Sequence, residues 1–325
     1  MHPDLDLADA IEVDTDSALS ADDDSLSSDT TSLSSSILSH VYENGRSYHA
    51  YQAGAYILPN DEQEQDRLDV LHHVYRLCLR GELCRTPLQN PHKVLDVGTG
   101  TGIWAISIAD EFPSAEVIGI DLSPIQPTWV PPNVRFIIDD LNQDWSFPAE
   151  SFDFIHVRGL AGCVDDWPEF LDQCYDHLKP GGRLEIAELE PSCYSDDGSF
   201  PEDCYFNKWQ TEFHRLSAVQ GRDWLPMGSV PALIKDSSFE DVDTNIHMVP
   251  VGTWPKDPRM KEIGRYMRAQ TVDAALESYT LAMFTRYGDW KPAEVEVLLA
   301  QIRAELKSNK LHIYAKWLVV RVRLG

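Results

Sequence analysis

The chain lacks what several functional classes require. None of its 325 residues sits in the uninterrupted run of ~18 or more apolar residues that a membrane-spanning helix needs, and its first residues carry neither the basic region nor the apolar stretch of a secretory leader. A cytoplasmic chain that avoids membranes is expected, with a nuclear place left open. Its six cysteines, Cys78, Cys84, Cys163, Cys174, Cys193 and Cys204, form no C-x-x-C pair and are too sparse to staple a chain this long. They read as reduced packing thiols. Positive charge is scarce: 27 Lys+Arg face 53 Asp+Glu, a net of -26. A surface of that sign repels a phosphate backbone, so direct nucleic-acid binding is not expected. Zinc-type Cys/His spacing and His-Glu-x-x-His are also missing. Asp165-Asp166 ahead of Trp167-Pro168 reads as a capped helix start, and no metal is expected.

What is present is enough apolar sequence, 43%, to bury one large core. Residues 1–39 stand apart, with ten acids, ten serines and no Lys or Arg. Such a segment has too little hydrophobicity to fold alone and reads as a disordered acidic tail. The folded body is expected over 40–325, with an N-terminal helical segment at 40–90 and helices inserted at about 255–308. Asn60-Asp61-Glu62-Gln63 predicts a capping box. Leu68, Leu71 and Tyr75 then share a helix face that should pack on the main domain.

Beyond it, short apolar strands alternate with amphipathic helices, the pattern of an α/β fold with a mostly parallel sheet covered on both faces. Strands are predicted at Lys93 to Val97, Glu116 to Ile120, Val134 to Ile138, Phe152 to Val157 and Arg183 to Glu188. Helices are predicted at Ile103 to Glu111 and Trp167 to Leu178, the second stopped by Lys179-Pro180-Gly181-Gly182. A further helix to about Gln220, a strand near Val242 to Met248, two helices between Met260 and Lys307 and a last strand from His312 complete the reading.

The chemistry concentrates where the first of these strands ends. Val94-Leu95-Asp96-Val97-Gly98-Thr99-Gly100-Thr101-Gly102 runs an apolar strand into three alternating glycines, which admit a ligand close to the backbone. A triphosphate loop would need Gly-Lys-Ser/Thr where Gly102-Ile103-Trp104 stands. The NAD fingerprint is G-x-G-x-x-G, whereas this loop reads G-x-G-x-G behind Asp96, a carboxylate poorly placed beside a pyrophosphate and well placed for an ammonium group. Asp121 ends the next strand, where an acid can accept from two ribose hydroxyls; its other reading is a cap on the Ser123-Pro124 turn. With Leu122 beside it and Thr99 in the loop, it belongs to one expected cofactor surface. Asp139-Asp140-Leu141 follow the third strand. Asp140 is expected at an adenine amino group and Leu141 over the ring, and His156 and Arg158 end the fourth strand facing the methionine part of S-adenosylmethionine (SAM) or a substrate.

The stretches VLDVGTGTGIWAISIAD, EVIGIDLSPIQPTWVPPNVRFIIDD, FDFIHVRGLAG and HLKPGGRLEIAELE resemble the LaeA-like (UMTA-like) fungal class I methyltransferases. The likeness extends from ENGRSYHAYQAGAYILPNDEQEQDRLDVLHH to the stretch around HIYAKWLVVRVR, covering about Val41 to Val322. It implies a Rossmann-like seven-stranded sheet with an antiparallel last strand, and SAM as methyl donor. It carries the cofactor role onto Asp96, Gly98, Gly100, Gly102, Asp121 and Asp140, and matches Arg46 and Tyr48 to the family's N-terminal motif, where a closing role over SAM is expected. Gly159-Leu160-Ala161-Gly162 departs from the family, which often carries an acid after the Arg.

Methyl transfer needs donor and nucleophile held in line at ~3 to 3.5 Å. Were a general base used, His156, Glu188 and Glu190 are the candidates. The aromatic-rich stretch from Asp203 to Trp290 reads as core at Tyr205, Trp209 and Phe213, and as the wall of an aromatic-lined cavity for a small molecule elsewhere. An enzyme acting on a small metabolite in fungal secondary metabolism is the leading expectation. Against it stand a regulator that binds SAM and a protein partner, and an NAD-dependent oxidoreductase that the glycine spacing disfavours.

Overall fold

The computed structural model describes residues 40–49, 57–222, 224 and 226–325; the acidic stretch 1–39 lies outside them. A hairpin comes first, β1 (His40–Glu43) and β2 (Arg46–His49). Asn44 and Gly45 turn it with positive φ at both positions, 52° and 81°, as a two-residue hairpin loop demands. The segment 40–90, read as helical, therefore holds this hairpin ahead of α1 (Glu62–Cys78). The cap of α1 is Asp61, whose carboxylate accepts from the Glu64 amide at 3.1 Å. The predicted box started one residue earlier, but Asn60 is still tied to β2 through its amide on the Ser47 carbonyl at 2.8 Å.

From there strands and helices alternate as read: β3 (Lys93–Val97), α2 (Ile103–Glu111), β4 (Glu116–Asp121), β5 (Val134–Ile138), β6 (Phe152–Arg158), α3 (Trp167–His177) and β7 (Leu178–Tyr194). Asp166 caps α3 by accepting from the Glu169 amide at 3.1 Å, as its position before Trp167-Pro168 predicts. Two differences have physical causes. β7 runs much further than Arg183 to Glu188, and Lys179-Pro180-Gly181-Gly182 belongs to it. The Gly181 amide reaches the Leu324 carbonyl and the Leu324 amide returns to Gly182, so the Pro-Gly-Gly stretch is recruited by the chain's far end. The second is a helix without a sequence signal. After α4 (Tyr205–Gln220) comes α5 (Pro226–Asp236), which carries Pro231 inside it and buries Val230 and Ile234 in the apolar cluster that also holds Val320 and Val322.

The chain continues through β8 (Glu240–Val251), α6 (Pro258–Gln270), a π-helical turn at Thr271–Ala275, α7 (Leu276–Tyr287), α8 (Pro292–Lys307) and β9 (Ile313–Arg323). The sheet order is β5-β4-β3-β6-β7-β9-β8, with β9 antiparallel to both neighbours and the other pairs parallel. This is the seven-stranded Rossmann-like arrangement with an antiparallel last strand. β3 sits centrally, and Val94, Leu95 and Val97 are fully buried, as a parallel strand covered on both faces requires. Such an order brings the carboxyl ends of β3, β4, β6 and β7 to one edge, where crevices form. Over that edge lie α1 and α7, joined by the Ser278 hydroxyl donating to the buried Glu64 carboxylate at 2.6 Å.

Candidate active site

The turn from β3 to α2 is built around Asp96. This carboxylate is buried, and each oxygen has a fixed partner: the Thr99 hydroxyl at 2.7 Å and the His156 Nδ1 at 2.7 Å. His156 is itself clamped, its ring stacked on Trp104 at 3.6 Å and 6°, while the Trp104 indole donates to the Leu83 carbonyl at 2.8 Å. A negative charge aimed by such a chain of contacts is already organised for a cation. On the neighbouring strand Asp121 accepts from the Gly100 amide at 2.8 Å and the Ser123 amide at 2.9 Å. Burial pushes its carboxyl up to about 6, against the pull of those amides. Asp121 caps the Ser123 turn and also lines the cleft.

One cleft receives Asp96, Gly98, Thr99, Gly100, Asp121 and Leu122 from the first two strand ends. Leu141, Arg158 and Glu188 enter it from later ones. Other sequence candidates stand elsewhere. Asp140 is buried and accepts from the Asn142 amide at 3.0 Å, and its neighbour Asp139 lines the cleft instead. Gly102, with φ 79°, leaves no room for a Cβ beside the Phe136 ring, so it serves the packing of the turn. Arg46 forks onto Asp61 at 2.6 and 2.8 Å and reaches Glu277 at 3.3 Å. Tyr48 is buried under Arg286. Neither lines the cleft; they brace the hairpin against α1 and α7. Of the base candidates, His156 sits behind Asp96, Glu190 accepts from the Tyr194 hydroxyl at 2.7 Å, and Glu188 alone reaches the cleft.

The cleft also has walls that sequence reasoning assigned to packing or missed. Leu68, Leu71 and Tyr75 line it together with Arg67, so the apolar face of α1 covers the site and the sheet edge at once. In the aromatic stretch Trp209 and Phe213 are core and Tyr205 is exposed; Tyr279 of α7 is the one that lines the cleft. The guanidinium of Arg158 lies 5.1 Å over the Tyr75 ring and donates through Nη2 to His72 Nδ1 at 3.2 Å. Burial, reinforced by Arg158, brings His72 down to about 3, so it is a neutral acceptor. Among the described residues no carboxylate stands within 4.0 Å of Arg158, which makes no ion pair. A half-buried cation without a counter-ion is costly unless a ligand supplies one.

Glu188 is fully buried and holds the loop after β6, accepting from the Leu160 amide at 2.9 Å and the Ala161 amide at 3.0 Å. Burial pushes its carboxyl up to about 7, opposed by these amides, that of Gly159, and Arg158. A folded state that keeps a proton the unfolded chain has released loses stability as pH rises. The melting temperature should therefore fall between pH 4.5 and pH 7 by more in the wild type than in Glu188→Gln, as read by scanning calorimetry. Parallel curves for the two proteins would remove the shift.

A methyltransferase-domain family model matches residues 70–242, more than half of the chain. A methyltransferase named pytC from Aspergillus terreus is 44% identical over 314 residues, covering 96% of this chain and 93% of that protein. A secondary metabolism regulator, LAE1 of Cochliobolus heterostrophus, is 39% identical, covering 85% of this chain and 92% of its own length. The protein-methionine methyltransferase laeA of Emericella nidulans is 34% identical over 84% of this chain and 73% of its own. The chain belongs to the LaeA-like class I methyltransferases. Its fold is shared with a solved structure from Anabaena variabilis assigned to an antibiotic biosynthesis pathway, at TM-score 0.51 and 14% identity, covering 78% of this chain and 98% of that one. For a LaeA-like methyltransferase the methyl donor is SAM, and the cleft over the glycine turn is where this chain offers the charges such a donor needs.

Proposed function

We propose that this cleft binds SAM and directs its methyl group to a small-molecule acceptor in fungal secondary metabolism. The carrying observation is the buried Asp96 carboxylate, fixed by Thr99 and His156 at the foot of a side-chain-free turn. The residues present fit that cofactor. Asp96 offers a fixed charge to an ammonium group and Asp121 two oxygens to ribose hydroxyls. Asp139 stands for an adenine amino group, Leu122 and Leu141 for cover over the ring, and Arg158 for a carboxylate. When bound, the cofactor supplies a methyl group activated on a sulfonium. The chain's own share is positional. α1 and α7 shut water from the sheet edge, and Glu188 fixes the backbone of Leu160 and Ala161 where donor and acceptor halves of the cleft meet. Holding two reactants aligned in this way is worth up to roughly 7–11 kcal/mol of barrier.

Calorimetry on the full chain tests the reading. SAM and S-adenosylhomocysteine should bind one per chain and NAD should not; NAD binding without SAM binding overturns it. Several relatives carry regulator names, which favours a second reading in which the bound cofactor serves a complex with a protein partner. Metabolite profiles of a deletion strain and an Asp96→Ala strain separate the two. Loss of one methylated product supports a tailoring enzyme, and a broad change supports the regulator. No helix among the described residues is long and apolar enough to cross a membrane.

A further inference from the structure

Resting on that reading of the cleft, we infer that His72 is a positioning residue for the cofactor. It holds the Arg158 guanidinium toward the carboxylate of SAM without neutralising it, and the pair makes the site select the carboxylated donor.

His72 lies on α1, in the face that covers the sheet edge, and is 4% exposed. Leu68, Leu71 and Tyr75 of that face line the cleft. His72 instead meets Arg158, which lines it, with Nδ1 3.2 Å from Nη2. A guanidinium only donates, so the imidazole must present a bare nitrogen. Its surroundings enforce that state. Burial acts first, then the charges of Arg158, Arg76, His156 and His73, and together they bring His72 down to about 3. On its other side the guanidinium lies 5.1 Å over the Tyr75 ring, which is stacked on Trp317 at 4.6 Å. A long, flexible side chain is thus fixed by two neighbours at i and i+3 of one helix.

The second observation is what Arg158 lacks. Asp96, Glu185 and Glu188 act on it only from a distance, and each is committed elsewhere. Asp96 accepts from Thr99 and His156, Glu185 from the Arg85 and Thr86 amides, and Glu188 from the Leu160 and Ala161 amides. The cation is therefore oriented and left with its charge. A carboxylate at position 72 would orient it equally well and cancel it; a neutral ring does only the first. Asp96 pairs with His156 across β3 and β6, and Arg158 follows two residues on, on the same face of β6. Opposite charges thus enter one cleft from adjacent strand ends. They match the amino-acid end of SAM, whose ammonium and carboxylate share a carbon. A ligand missing either charge leaves one side chain unanswered in a buried site.

The experiment is calorimetry on the full chain with SAM and with decarboxylated SAM, which keeps the sulfonium and the ammonium and lacks only the carboxylate. The wild type should bind SAM about 10- to 100-fold more tightly than the decarboxylated form. His72→Leu should lose about 10-fold in SAM affinity, the loss expected when a hydrogen bond to a charged group is no longer aligned, with decarboxylated SAM unaffected. His72→Asn offers a neutral acceptor near the place of Nδ1 and should hold SAM within about 3-fold of the wild type. His72→Asp keeps an acceptor but cancels the guanidinium charge, and should abolish the preference for SAM. In an Arg158→Met background, His72→Leu should cost SAM nothing further, as residues acting through one contact require. Equal losses for the two donors in His72→Leu would mean that the ring only packs, and would overturn the inference. So would a wild type with no preference between them, or an Asn variant that binds SAM as poorly as the Asp variant; that last contrast decides alone should His72→Leu not fold. Failure of SAM to bind the wild type overturns the cofactor reading beneath it.

Discussion

Asp96→Asn is expected to weaken SAM binding by about 100-fold while leaving the fold intact. The two consequences separate because Asn keeps the shape and loses the charge. Asp96 holds the Thr99 hydroxyl on one oxygen and the His156 Nδ1 on the other, both at 2.7 Å. The Asn carbonyl can keep the imidazole, and the Thr99 hydroxyl can turn to accept from the new amide group. The hydrogen-bond count then survives, and stability should change by no more than about 1 kcal/mol. The ligand's ammonium group, however, would face a neutral amide in a buried site. Removing one partner of a desolvated charge pair costs about 2–5 kcal/mol, and 100-fold corresponds to about 3 kcal/mol. Calorimetry gives the affinity and thermal melting the stability. Asp96→Ala should lose both, since it strands Thr99 and His156 without partners in the core. An Asn variant that binds SAM like the wild type would mean that Asp96 only props the turn.

How much of this was legible in the sequence depends on the range of the interaction that decides each element. β3, α2 and β5 lie where the apolar run, the glycines and the next apolar run place them, because local pattern and tertiary burial agree there. The hairpin at 40–49 announces itself only through Asn44-Gly45, since four-residue strands carry too little alternation to distinguish from a helix entry. The early start of β7 was out of reach. Pro180-Gly181-Gly182 reads as a helix stop, and its extended state rests on hydrogen bonds to Leu324 at the other end of the chain. The site divides the same way. Asp96, Asp121 and the glycines follow from the turn itself, whereas Tyr279 comes to the cleft from 183 residues beyond Asp96 through the packing of α7. Asp139 and Asp140 are adjacent acids at a strand end, where one residue decides which face a side chain takes. The Asp139 amide continues the β4–β5 pairing onto the Asp121 carbonyl at 3.0 Å, and that bond settles the register. The face of α1 was legible as apolar and illegible as a wall, because packing and ligand cover use the same residue types.

The glycines of the turn should part company when each is given a side chain. Gly102→Val is expected to destabilise the protein by about 2–5 kcal/mol. It combines a β-branched residue at φ 79°, worth about 1–2 kcal/mol of backbone strain, with overpacking against Phe136, worth about 1–3 kcal/mol. Phe136 cannot retreat easily, since its ring also closes on the space above Gly119 between β4 and α2. For a chain of this size such a loss lowers the melting temperature by roughly 3–8 °C. Gly100→Ala meets a different environment: its Cβ would reach only Leu68, at an ordinary 3.5 Å, so the fold bears the strain of φ 58° alone. That methyl group would instead stand in the cleft beside Asp121, whose carboxylate the Gly100 amide holds. Its effect should fall on SAM affinity, by about 10-fold or more, with a melting shift of a few degrees. The pair of variants separates two uses of one loop, close packing of helix on strand at its end and close approach of a ligand at its middle. Equal losses of stability with equal losses of binding would show that the turn behaves as a single packing unit with no place kept for a cofactor.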